Sequence, residues 1–95
     1  MVPKLHKIEN ELVGKWILVN NKVVGDNTQK RIELLEKNYL VFIGIADNGW
    51  EKLYRDPNDG RLWELTYPQS ELQGGGPKKL VLIDEFLAHK KYKAG

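Results

Sequence analysis

Between Gly49 and Pro77 the chain reads GWEKLYRDPNDGRLWELTYPQSELQGGGP, and one turn inside it limits what the fold can be. Asp56-Pro57-Asn58-Asp59-Gly60 separates two strand-like runs, Trp50 to Arg55 and Arg61 to Tyr67. Proline fixes φ early in such a loop and glycine accepts a left-handed backbone at its end, so the segment specifies a hairpin of set register. Alternation puts Arg61, Trp63, Leu65 and Tyr67 on one face and Leu62, Glu64 and Thr66 on the other. The aromatic face is expected to meet the core. Trp50, Tyr54, Trp63 and Tyr67 are residue types common at interfaces, but at strand spacing in a small domain each reads first as core.

The remaining elements fall around this hairpin. Lys15 to Asn20 and Lys22 to Gly25 are β-branched runs separated by Asn20-Asn21, a pair tolerant of positive φ, and read as a second hairpin. Asp26 followed by Gln29 resembles a capping box; Ile32, Leu35 and Tyr39 then recur at helical spacing, with Lys30, Arg31, Glu33, Glu36 and Lys37 on the other sides. Leu40 to Ile45 is a continuous apolar run, read as a central strand buried on both faces, and Asp47-Asn48-Gly49 as a tight turn. Leu80 to Ile83 is a last strand. Asp84 is placed to cap a closing helix through about Tyr92 that lays Phe86 or Leu87 on the sheet. The expected fold is α+β: a small antiparallel β-sheet with one or two covering helices. A chain of 95 residues buries only about 60 to 65% of its unfolded surface, so it forms one domain over residues 1–95, with 1–10 and 90–95 as flexible ends.

Composition narrows the function. The 41% apolar and 29% charged residues are ordinary for a globular protein. The absence of cysteine fits a reducing cytoplasm; the N-terminus lacks a secretory apolar core, and no later run approaches the length of a membrane span. The net charge of +2 is too small to argue for a nucleic-acid partner, but its distribution is uneven. Asp47 to Glu71 carries six acids against three bases, and Lys78 to Gly95 five lysines against two acids. An acidic segment of this kind would complement a basic partner and speed its association, although a scattered solvated surface explains it as well.

No constellation for catalysis is visible. The single serine, Ser70, lies in a polar connection, and His6 and His89, expected on the surface, stand near opposite ends, so neither a Ser-His-acid set nor a zinc spacing emerges. Asp56, Asp59 and Glu64 sit near one hairpin end, but DPNDG is too poor in oxygen ligands for a calcium loop and reads as a turn. Arg55 and Arg61 flank it and would pair with the nearby acids or face a partner. The glycines Gly74, Gly75 and Gly76 lead through Pro77-Lys78-Lys79 into a strand, unlike a phosphate loop, which leads into a helix. The connection Gln69 to Lys79 is therefore the leading candidate for partner contact, with return of the chain to the sheet as its other use. No catalytic residue, cofactor or metal is expected.

The run of LYRDP, DGR, WELTYPQ and GGGP in order, with the early LVGKW and the helix start at Asp26 to Arg31, resembles the small bacterial proteins of immunity protein family twenty-seven. The likeness spans about Leu12 to Ile83; Lys78 stands where the family often has a second proline. It implies a cytoplasmic partner of a polymorphic toxin, binding the cognate toxin stoichiometrically and covering its active site, with no enzymatic activity. Under that reading the contact candidates are Glu51, Arg55, Asp56, Asp59, Arg61, Glu64, Glu71, Gln73 and Gly74 to Gly76. The acidic stretch would then steer a basic toxin such as a nuclease. The alternatives are a binding module of other specificity and a small hydrolase using Ser70 or the carboxylates.

Overall fold

The computed structural model of the protein describes residues 4–47, 49–68 and 76–92. The expected Asp56 to Gly60 hairpin forms and extends into a five-stranded antiparallel sheet. In chain order the elements are β1 (Glu11–Val13), β2 (Trp16–Val19), β3 (Lys22–Gly25), α1 (Asn27–Asn38), β4 (Val41–Ile45), β5 (Lys52–Arg55), β6 (Leu62–Thr66), β7 (Lys79–Ile83) and α2 (Glu85–Tyr92). The main sheet has the order β1-β7-β6-β5-β4, and β2 and β3 form a separate two-stranded ribbon. The α+β expectation holds.

The sheet is buried on both faces, and the alternation of β6 decides which helix meets which face. Trp63 and Leu65 point, with Tyr54 and Leu80, toward Ile32 and Leu35 of α1. Leu62 points the other way, with Leu53, toward Ala88 and Tyr92 of α2. At about 25 cal/mol per Å² of apolar surface, these two layers are the main stabilising term.

Leu40 to Ile45 is not the central strand. It is the outer strand β4, paired with β5 alone, and Val41, Phe42 and Ile45 are about half exposed. A short apolar run suits a buried strand or a sticky edge equally well, and β6 takes the centre because its polar residue, Glu64, finds partners on α2. The register of β4 shifts between Phe42 and Gly44, an irregularity that discourages pairing of a further strand. Phe42 lies edge-on to Tyr54, its cross-strand partner, with centroids 5.7 Å apart.

The local start and stop signals act as expected. Asn20 and Asn21 adopt φ of 50° and 65° at the β2–β3 turn. The Asp26 carboxylate accepts from the Gln29 N–H at 2.8 Å and caps α1. Gln29 does not complete the capping box. Its buried side chain accepts instead from the Lys78 N–H at 2.8 Å, which ties the start of α1 to the entry of β7. Gly14 and Gly25 make room for it: a Cβ on Gly25 would come within 2.6 Å of Gln29 Cγ, and one on Gly14 would meet Gln29 Oε1. Gly49 donates to the Ala46 carbonyl at 2.9 Å, closing the turn after β4.

Asp84 caps α2 by accepting from the Leu87 N–H at 2.8 Å. The face of α2 differs from the expectation: Phe86 and Leu87 are exposed, whereas Ala88 and Tyr92 are buried. Within residues 4–10, read as part of a flexible end, Leu5 and Glu9 make fixed contacts. Leu5 joins the core, and Arg31 forks onto Glu9 at 2.6 and 2.7 Å while donating to the Lys4 carbonyl.

Candidate functional site

The candidate contact residues of the Asp56 to Gly60 turn are stiffly held, and much of their bonding runs inward. The Asp56 N–H donates to the Arg61 carbonyl and the Gly60 N–H to the Asp56 carbonyl, both at 2.8 Å. Gly60 has a φ of +79°, the left-handed conformation its position requires. Asp56 itself is 0% exposed. Its Oδ1 accepts from the Tyr39 hydroxyl at 2.5 Å and from the Asn58 N–H at 2.8 Å. Burial and the bond to Asp56 push the Tyr39 hydroxyl up to about 12. Oδ2 has no hydrogen bond and lies 3.9 Å from the Arg61 guanidinium.

Arg61 is a tether. Its Nε donates to Asp59 at 2.6 Å, and Nη1 and Nη2 donate to the carbonyls of Glu9 and His6 at 3.0 and 3.1 Å. Its guanidinium also stacks 5.2 Å above the Trp63 ring. Partial burial alone would raise the Asp59 pKa, but the backbone N–H and guanidinium of Arg61 outweigh it and leave the carboxyl below its ordinary range. Arg55 donates to the Gly60 carbonyl at 2.9 Å across the turn, rather than to an acid.

Beside the turn lies an open groove of about 380 Å³, lined by Asp59 to Leu62 and by Leu82 to Glu85. Its lining combines the aliphatic Leu62, Leu82 and Ile83 with Asp59, Asp84 and Glu85. The lining offers carboxylates and one guanidinium, so it suits a bound cationic or amide group.

The acidic and basic stretches of the chain are not separate poles. Lys91 bridges Glu51 and Glu64 at 2.8 and 2.6 Å, and Tyr92 donates its hydroxyl to Glu64 at 2.8 Å. Partial desolvation pulls the Lys91 pKa down, but the two carboxylates prevail and hold it above its usual value. Burial, followed by the Glu64 contact, raises the Tyr92 hydroxyl. Lys78 pairs with Glu36, and Lys79 with Glu11 at 3.7 Å. Folding thus sets part of the charge that the sequence separates against its opposite, through Lys91 with Glu51 and Glu64.

The structure therefore sorts the contact candidates. Arg55 and Asp59 remain at the surface of the turn, and half-buried Arg61 reaches the groove. Asp56 and Glu64 are buried and bonded within the fold, which removes them from direct contact. Gly76 is also buried. Pro77 beside it is buried as well, and the Lys78 N–H is held by Gln29, so this end of the 69–79 connection is part of the scaffold. Glu71, Gln73, Gly74 and Gly75, with Ser70, lie outside the described residues. His6 and His89 are exposed as expected; Trp50, read as core, is exposed at 55% with its ring edge-on to Tyr67.

Sequence reasoning passed over an exposed apolar surface, the β2–β3 ribbon, where Leu18 and Val23 are each 68% exposed. The signal was present. Every strand residue of this ribbon except Lys22 and Gly25 is apolar, and a two-stranded ribbon at the margin of a small domain cannot bury both faces.

Comparison with known proteins gives one result. The family model described as Immunity protein 27 matches residues 18–84, well over half of the chain. No curated protein and no solved structure matches it.

Proposed function

This chain belongs to the Immunity protein 27 family, and from its immunity function we propose that it neutralises a cognate toxin by binding it one to one and occluding its active site. The observation that carries the reading is a small, well-bonded scaffold with large apolar side chains left exposed on several elements. Leu18, Val23, Phe42 and Trp50 are each more than half exposed, a composition that fits a partner interface better than a reaction centre. The groove beside the Asp56 to Gly60 turn adds acidic side chains to the surface available to a partner.

Inhibition by occlusion needs no chemistry from the inhibitor, and the non-catalytic reading follows from it. The cytoplasm of the producing cell is the expected place of action, since protection must be present where the toxin would act. No helix among the described residues is long and apolar enough to cross a membrane. A nuclease as the toxin would rest on the acidic 47 to 71 stretch. Lys91, brought in from the basic end, bridges Glu51 and Glu64 and weakens the field on which that argument rests.

Calorimetric titration of the chain into the polypeptide encoded immediately upstream tests the reading. Saturation at one equivalent is the expected result. Absence of binding would break the connection between family and role.

A further inference from the structure

We propose that the β2–β3 ribbon is the arm that grips the cognate toxin, and that the toxin surface it fits is apolar with an acidic rim. The inference rests on the immunity reading above and gives that reading a contact surface.

The register of the ribbon pairs Leu18 with Val23 and Trp16 with Gly25, so Trp16, Leu18 and Val23 share one face. Ile17 and Val19 lie on the opposite face, and at 43% and 45% exposure they too are far from covered. Single exposed apolar side chains are normal, but a contiguous set on both faces of one ribbon marks a binding surface.

The base of the arm is fixed, which a gripping element requires. Asp26, the residue after β3, donates its N–H to the Lys15 carbonyl at 2.9 Å and caps α1. Gly25 abuts Gln29, which is itself bonded to Lys78. The ribbon thus projects from an anchored root and ends in the tight Asn20-Asn21 turn, so little conformational entropy is lost on docking.

Charge selects the occupant. From Leu12 to Gly25 the chain carries two lysines, Lys15 and Lys22, and no acid. Both are exposed. A second copy seated on this surface would gather four lysines with no acid among these residues to oppose them. A toxin surface with acids around an apolar patch meets both features.

The test uses the full chain and the polypeptide encoded immediately upstream. In the Leu18→Asp/Val23→Asp variant the changed side chains are exposed, so the thermal midpoint should stay near wild type while toxin affinity falls about 30-fold or more. Lys22→Glu should weaken binding about 5-fold and flatten its dependence on salt. Phe86→Asp, on the exposed face of α2, should stay within about 3-fold of wild type. If the Asp pair unfolds the chain, Leu18→Ala/Val23→Ala keeps the ribbon and carries the same expectation.

Wild-type binding with undiminished affinity in the ribbon variants would overturn the arm and leave the immunity reading standing. Failure of the wild-type chain to bind would remove that reading and the arm with it. A dimer in sedimentation that dissolves in the ribbon variants while toxin affinity is unchanged would assign the surface to a second copy. Toxin-independent binding to phosphatidylglycerol vesicles that these variants abolish, again with toxin affinity unchanged, would assign it to a membrane.

Discussion

Asp56 shows how one carboxylate can look like a contact residue in the sequence and serve as an internal brace in the fold. It receives the Tyr39 hydroxyl from the end of α1 and the Asn58 N–H from its own turn, with Arg61 behind it. Asp-Pro-Asn-Asp-Gly announced the turn correctly, because proline and glycine act on the backbone locally. The inward aim of Asp56 depends on Tyr39, seventeen positions away, and no local pattern conveys that. Asp56→Ala would leave two donors without an acceptor and should lower stability by about 1–3 kcal/mol. Thermal unfolding will register that loss, while calorimetry should find toxin affinity unchanged at temperatures where the variant is folded. Glu9 offers a second residue-level check. The forked bond from Arg31 holds its carboxyl down at about 2, against an ordinary 4.5. Folding lowers this pKa, so the contribution is whole above about 4.5 and is lost as pH falls toward 2. In Glu9→Gln the thermal midpoint should accordingly fall less steeply across that window than in the wild type.

At the scale of elements, boundaries were far more legible than faces. The caps of both helices and the two hairpin turns follow from short-range chemistry, in which Asp26, Asp84 and Asn20-Asn21 meet their own neighbours. Which side of α2 packs does not follow from such chemistry, because Phe86, Leu87, Ala88 and Tyr92 spread apolar surface around a short helix. Ala88 wins since a small side chain allows close approach to the sheet, and Tyr92 wins since its hydroxyl reaches Glu64. The same logic moved β4 from the centre to the edge, where the polar Glu64 of β6 was supplied with partners and no strand covered Phe42. Two substitutions on α2 separate the two readings of its face. Ala88→Leu should cost about 1–3 kcal/mol by overpacking, whereas Phe86→Ala should stay within about 0.5 kcal/mol, both read from denaturant midpoints.

The whole molecule is a flat body, 45 by 32 by 20 Å, in which ion pairs join stretches that sequence alone sets at opposite ends. Lys91 with Glu51 and Glu64 joins the basic end of the chain to its acidic middle, so charge that the sequence sets apart is in part paired in the fold. Net charge, a sum, survives folding; its layout along the chain does not. The β2–β3 ribbon leaves a set of apolar side chains exposed for recognition, with Lys15 and Lys22 beside it. The central claim is that this surface serves stoichiometric inhibition rather than turnover. The most direct measurement is the residual activity of a fixed concentration of the cognate toxin, well above the dissociation constant, as this chain is added. A linear fall to zero at one equivalent is the predicted result. Loss of all activity at a small fraction of an equivalent, progressing with time, would show that the chain modifies the toxin catalytically and would contradict the account.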